Sequence, residues 1–589
     1  MTERNQERIK RLLGSLYGSE QVEQINAHLL QQLAEFQQST KREFRRSDKL
    51  FSQKDVVVIT YGDLLQQADE PPLVTLQKFF TRRLADVVNT VHILPFYPYS
   101  SDDGFSVIDY TSVNPALGTW GHIEQFRQHG IRLMFDAVIN HVSAESDWFA
   151  AFKAREAPYR DYFISVDPSL DLTAVTRPRA LPLLTPVETV NGTEYVWTTF
   201  SSDQIDLNYQ NPSTLLDMIG VLLEYINHGA SIIRLDAIAY LWKEIGSSCI
   251  HLPQTHAVIQ LLRSVVDEVA PGVLLITETN VPHDENVSYF GDGENEAHMV
   301  YNFSLPPLAA HALLTGSSRF LSQWATGLET PSRQTAFFNF TASHDGIGVR
   351  PVTGLLDAES LDVLLRSAIN GGGAVSSKTN SDGTTSPYEL NVTYFDLVNS
   401  GRPDDTQDLQ ARRFLVSQAI MLELAGVPAI YLHSLLGSRN YAEGVQQTQH
   451  PRTINREKLD TQKVEQALDD MTTLRHAVFT GYRSLLEIRM QEKAFHPIGA
   501  QTVLDGGSSV FAVLRQSPDG TESLLALNNI TSEQIAVEID IPYTSQTIWS
   551  WVDLLTGVGY ESAEGQFKAS LAPYQTIWAK SRISSYLSK

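Results

Sequence analysis

Three times between residues 120 and 278, a helix-compatible segment stops at a glycine, and a short apolar run follows that ends in a carboxylate. In the first copy, residues 120–129 read as helix, Gly130 as its stop, and 131–135 as a strand ending at Asp136. In the second, Asn211-Pro212 opens a helix over 215–228, Gly229 ends it, and 231–235 leads to Asp236. In the third, 258–269 is broken by Pro271-Gly272, and 273–277 leads to Glu278. Glycine at the end of a helix takes the left-handed conformation that other residues resist. Apolar runs without polar alternation must be covered on both faces, as in a parallel sheet. Residues 56–60 and 90–94 read as further buried strands, and 336–341 as another that leads to His344-Asp345. Strands alternating with helices imply an α/β fold, either a β/α barrel or a doubly wound sheet. Both keep ligands at the C-terminal ends of their strands, where these carboxylates lie.

Two stretches interrupt the rhythm. Residues 144–210 hold Pro158, Pro168, Pro178, Pro182 and Pro186 with weak periodicity, and 346–412 contain Gly371-Gly372-Gly373 and a polar run over 376–386. Both read as inserted loops or small subdomains over the active face, because structureless loops of that length are uncommon in compact domains. After residue 497 the segments 509–515, 522–528 and 535–541 read as strands, with turns at Pro518-Asp519-Gly520 and Thr556-Gly557, hence an antiparallel C-terminal domain. The expected organisation is a helical extension (1–54), barrel (55–143), inserted subdomain (144–210), barrel (211–345), inserted subdomain (346–412), barrel (413–496) and β domain (497–589). The extension carries partial helical spacing at Leu12, Leu13, Leu16, Ile25, Leu29, Leu30 and Leu33, and reads as a packing arm or linker.

Composition narrows the function. With 68 acidic and 45 basic residues the net charge is −23, which repels nucleic acid. The single cysteine, Cys249, builds neither a disulfide framework nor a cysteine zinc site. No apolar run reaches the length of a membrane span, and residues 1–13 are charged throughout rather than built like a signal peptide. The expectation is a cytoplasmic protein, monomer or homodimer, with no membrane or nucleic-acid partner. No glycine-rich nucleotide loop follows a strand, and His92, His122, His129 and His141 lack metal-binding spacing.

Four acids, Asp136, Asp236, Glu278 and Asp345, stand at expected strand ends. One such acid is ordinarily a helix cap. Four, with Arg234 two residues before Asp236 and with His141 and His344 close by, point to a site. Converging carboxylates suit glycosyl transfer, one as proton donor and one as nucleophile or base. An arginine beside the nucleophile keeps it ionised. Phe96, Tyr97, Tyr99, Phe105 and Tyr110 crowd the segment around Asp102 and Asp103, a mixture that suits sugar faces and hydroxyls but also loop packing. Sequence spacing leaves retaining and inverting chemistry both open.

Asp136-Ala-Val-Ile-Asn-His141, Arg234-Leu-Asp236-Ala, Glu278-Thr-Asn280 and His344-Asp345-Gly346 resemble, in order, the four signature regions of the α-amylase superfamily, glycoside hydrolase family 13. Leu305-Pro-Pro-Leu308, Tyr388-Glu-Leu-Asn391 and Ile454-Asn-Arg456 resemble its sucrose phosphorylase branch, and the likeness runs from 55 to 495. The resemblance implies a (β/α)8 barrel and a retaining double displacement. Asp236 is implied as nucleophile, Glu278 as acid/base and Asp345 as transition-state stabiliser. Asp102, Phe105, His141, Arg234, His344 and Arg456 are implied to hold the donor glucose, and Phe200 to shield the intermediate from water. Arg179 is implied to help receive phosphate, and Tyr388 to lie beside the acceptor. The implied reaction uses an α-glucoside and inorganic phosphate, yields α-glucose 1-phosphate, and needs no metal or organic cofactor. Asn140 stands where some relatives hold calcium. The chain departs from plain sucrose phosphorylases in its N-terminal extension and in Glu389, which replaces a glutamine. An acidic Glu389 at the acceptor disfavours an anion unless Lys378 or an arginine compensates. The expected substrate is therefore glucosylglycerol, releasing glycerol. Glucosylglycerate, sucrose 6′-phosphate and sucrose are the alternatives, and a hydrolase or transglucosidase is a second reading.

Overall fold

Eight parallel strands close into a barrel: β1 Val57–Thr60, β2 Thr90–Ile93, β3 Arg132–Ala137, β4 Ala230–Leu235, β5 Leu274–Thr277, β6 Met299–Tyr301, β7 Ala336–Phe340 and β8 Val427–Tyr431. The chain is described by a computed structural model covering residues 3–582 apart from 48, 180, 381–382, 543–548 and 564. The strands pair in chain order, and β8 returns to β1 through Val57 opposite Ala429. This decides between the two α/β architectures in favour of the barrel. The helices before β3 and β4 are Trp120–Gln128 and Pro212–Asn227, and the glycines that follow, Gly130 and Gly229, have φ of 79° and 108°. The Asn211 side chain accepts from the Ser213 N–H and caps the second of these helices.

The N-terminal segment is a packing arm rather than a linker. Helix Glu3–Tyr17 buries Ile9, Leu12, Leu13 and Leu16, and its Asn5 donates to the Ser264 carbonyl at 3.0 Å on helix Pro253–Val269. Helix Val22–Ser39 buries Ile25, Leu29, Leu33 and Phe36, and Gln32 donates to the Leu216 carbonyl. Leu30, counted in the apolar spacing, is only half-buried.

The inserted stretches have structure of their own. The first contains hairpin Leu184–Thr189 and Gly192–Trp197, and strand Gln204–Asp206 paired with His141–Ser143. Cys249 is buried there in a small cluster with Val166, Val175, Leu183 and Trp197. The second contains helix Ala358–Asn370 and the antiparallel strands Ala374–Thr379 and Thr385–Asn391. The polar run expected as loop over 376–386 thus falls largely in a hairpin, with 381 and 382 outside the described residues. Serine and threonine satisfy a strand whose outer face meets water. The C-terminal strands form one eight-stranded sheet, antiparallel throughout its pairings. Among the described residues no helix is long and apolar enough to cross a membrane.

A buried ion pair joins the first insertion to the barrel. Lys243 donates to Asp206 at 2.6 Å and to the Asn140 side-chain oxygen at 2.9 Å, with all three residues buried. The Asn140 side-chain oxygen, which sequence resemblance placed where some relatives hold calcium, thus faces a built-in ammonium. Lys243→Met keeps the aliphatic stem but leaves Asp206 buried without its cation, which costs about 3–5 kcal/mol. The expected outcome is a lowered urea midpoint at unchanged m-value.

Candidate active site

The barrel register creates the site. Asp136 on β3 lies opposite Arg234 on β4, and Arg234 lies opposite Ile276 on β5. The ladder continues one step past the strand ends, Asp236 N–H to the Ala137 carbonyl and Glu278 N–H to the Leu235 carbonyl, both at 3.1 Å. Three neighbouring strands therefore deliver their acids to one place.

Arg234 is the hub. Its guanidinium is ion-paired with Asp136, lies 2.7 Å from Asp236 and 3.9 Å from Glu278, and sits between the rings of Phe105 and Tyr301 at 5.5 Å from each centroid. Asp136 also takes a 2.6 Å hydrogen bond from His92. Burial pushes the Asp136 carboxyl up, but His92 and Arg234 outweigh it and hold the group below the usual carboxylate range. Asp136 does not line the cavity. The expectation of four converging acids is corrected to three, with Asp136 anchoring the arginine from beneath.

Burial raises Glu278 to about 7, with the Asp236 and Asp345 charges adding to the shift against Arg234. Burial also raises Asp236 to about 7, opposed by Arg234. The closer arginine contact belongs to Asp236, so Arg234 favours the ionised form of Asp236 more strongly than that of Glu278. Ala237, next in the chain, has a left-handed φ of 50°, and its N–H donates to Glu278 at 3.2 Å. A non-glycine residue in that region costs about 1–3 kcal/mol, and here it aims a donor at the acid.

Asp345 is held below the usual carboxylate range. Burial opposes this, but Arg452, Arg456 and Arg234 together prevail. The His344 ring stacks on Phe105 at 4.7 Å, and burial pushes it down to about 3, so it is neutral. His141 donates from Nε2 to the Phe105 carbonyl at 2.9 Å, and the Phe200 ring packs 5.3 Å from it. Asp102 and Asp103 both have left-handed φ, 51° and 49°, and both face Arg456, at 3.4 and 2.8 Å. The Arg179 guanidinium lies over the Tyr388 ring at 5.8 Å.

Asp102, Phe105, His141, Arg179, Phe200, Asp236, Glu278, His344, Asp345 and Tyr388 line a single cavity at the C-terminal end of the barrel. Three of the expected site residues do not line it. Arg234 lies below the acids, Arg456 lies behind Asp102 and Asp345, and Glu389 is buried behind Arg452. The expectation that Glu389 presents a bare charge is corrected. It accepts two hydrogen bonds from Arg452, at 3.0 and 2.6 Å, and Arg452 is also ion-paired with Asp345. Arg452, Gln204, Tyr240 and Asn280 line the cavity and were not singled out from sequence. Arg452 stands four residues before Arg456, the one local signal that marks it. No cluster of three or more metal-ligating side chains occurs among the described residues.

Residues 86–347 match the model of the α-amylase catalytic domain. The chain is 46% identical over 580 residues to a glucosylglycerate phosphorylase of Spirochaeta thermophila, covering 97% of this chain and 98% of the relative. It is 44% identical over 576 residues to a glucosylglycerate phosphorylase of Escherichia coli, covering 98% and 100%. A crystal structure of sucrose 6F-phosphate phosphorylase from Thermoanaerobacter thermosaccharolyticum superposes with a TM-score of 0.71 at 25% identity, over 87% of this chain and 97% of that one. With this likeness over nearly its whole length, the chain belongs to the sucrose phosphorylase-like branch of glycoside hydrolase family 13, the α-amylase superfamily.

Proposed function

We propose that the chain is a cytoplasmic retaining phosphorylase that cleaves glucosylglycerate with inorganic phosphate, giving α-glucose 1-phosphate and glycerate. The observation that carries the acceptor is the pairing of Glu389 with Arg452. It removes the premise on which glycerol was expected, because the loop carboxylate is already neutralised. Arg179, which lines the cavity, is then the cation on that side that can meet the acceptor's carboxylate. The likeness to two glucosylglycerate phosphorylases over nearly the whole chain supports the same acceptor.

The chemistry follows from the charges. Ionised Asp236 attacks the anomeric carbon while Glu278 gives its proton to the glycosidic oxygen, and glycerate leaves. The oxocarbenium-like transition state gains from Asp236 and from Asp345, which Arg452 and Arg456 keep ionised. Phe200, Tyr240 and Tyr388 cover the glucosyl ester on Asp236. Phosphate, drawn past Arg179, attacks the anomeric carbon from the face that glycerate left, the bond to Asp236 breaks and frees its carboxylate, and Glu278 takes the proton of the phosphate.

The deciding experiment supplies α-glucose 1-phosphate with glycerate, glycerol, fructose or fructose 6-phosphate in separate reactions and follows phosphate release. Glycerate is expected to be fastest; a faster reaction with glycerol would refute the acceptor, and release independent of any acceptor would favour a hydrolase. Arg179→Ala is expected to lower kcat/KM for phosphate at least about tenfold, the worth of roughly one charge-assisted hydrogen bond. Donor hydrolysis should fall less, and equal losses would remove the arginine's phosphate role. The pH profile of kcat/KM for the glucoside should fall about tenfold per unit above a midpoint near 7, as the proton leaves Glu278. A flat profile to pH 9 would contradict the assignment of the acid.

A further inference from the structure

At the opposite end of the barrel from the acids lies a second cavity of about 730 Å³. Its floor is where strands begin: Gly272 shortly before β5, His298 before β6 and Gln334 before β7. Its outer wall is helix Glu3–Tyr17 and the segment around Arg46 and Leu50, the N-terminal arm.

The charges on this wall are unusual for so acidic a chain. Arg263 is tied to Asp267 at 2.8 Å and to the Glu296 carbonyl, and Arg8 donates to the Asn295 carbonyl. Arg4, Arg11 and Arg46 also line the cavity and have no acidic partner among the described residues. Five arginines and the four acids Glu7, Asp267, Asp292 and Glu294 line the cavity, so in a chain of net charge −23 this space carries a local positive excess. Guanidinium forks match phosphate oxygens two at a time. Asp292 and Glu294 line the same cavity and, as acceptors only, suit hydroxyl groups. No Phe, Tyr or Trp lines it, and its one aromatic ring is that of the buried His298. The net charge of −23 opposes a polyanion. The volume falls in the range of small-molecule sites.

We propose that this cavity binds a sugar phosphate, with its phosphate on Arg4, Arg11 and Arg46 and its hydroxyls on Asp292, Glu294 and Gln334. This site is independent of the reading of the barrel's catalytic end.

The test is calorimetric titration of the full-length protein with glucose 6-phosphate, inorganic phosphate and glucose in turn. The wild type is expected to bind glucose 6-phosphate most tightly and glucose least. The variant Arg4→Ser with Arg11→Ser and Arg46→Ser alters exposed side chains. It should lose roughly tenfold or more in affinity, while turnover stays at the wild-type level. Asp292→Asn with Glu294→Gln serves as the second probe and should weaken glucose 6-phosphate but not inorganic phosphate. Unchanged affinity in the arginine variant, or no binding to wild type at millimolar ester, would overturn the site. Inorganic phosphate binding as tightly as the ester would overturn the sugar half of the proposal.

Discussion

One buried guanidinium organises the catalytic end of this molecule. Arg234 carries the one positive charge placed directly among Asp136, Asp236 and Glu278, and it reaches all three because it sits on the strand between their strands. A charge this deep is tolerated only when paired and hydrogen-bonded. Asp136 and His92 hold it from below, and the rings of Phe105 and Tyr301 flank it. Arg234 lies 2.7 Å from Asp236 and 3.9 Å from Glu278, so its charge favours ionisation of Asp236 more strongly than of Glu278.

A second layer of arginines does the same for the outer half of the cavity. Arg456 gathers Asp102 and Asp103, and Arg452 gathers Asp345 and Glu389. The left-handed backbone at Asp102 and Asp103 is held against its conformational cost by these pairs and by Gly104, where a Cβ would lie 2.5 Å from the Pro95 carbonyl oxygen. The two insertions contribute the remaining wall, Arg179 from the first and Tyr388 from the second, which meet as cation and ring. The acids of the cavity thus come from the ends of barrel strands and part of its outer wall from the insertions, so the wall can vary while the acids stay in place.

Much of this was legible in the sequence. Asp236, Glu278 and Asp345 follow apolar runs, and Gly130 and Gly229 mark the ends of the preceding helices, so the strand-end logic locates the acids without coordinates. Two barrel strands were not legible. β6 is three residues long, and β8 contains Pro428, which weakens a strand reading. The hairpin over 374–391 was hidden by its polar composition. Glu389 was read as a free charge because its partner Arg452 lies 63 residues away, and nothing local signals the pairing.

The sequence by itself determined the alternation of helix and strand, the residues at the strand ends and the family likeness, because those depend on local periodicity, glycine conformation and short motifs. Only the tertiary structure decided that Asp136 supports rather than lines the cavity, that Lys243 fills the cage of Asn140 and Asp206, and that Arg452 cancels Glu389. Each of those is an electrostatic question. Its answer depends on distances between charges far apart in the chain and on how far each is removed from water, and neither quantity exists until the barrel has closed.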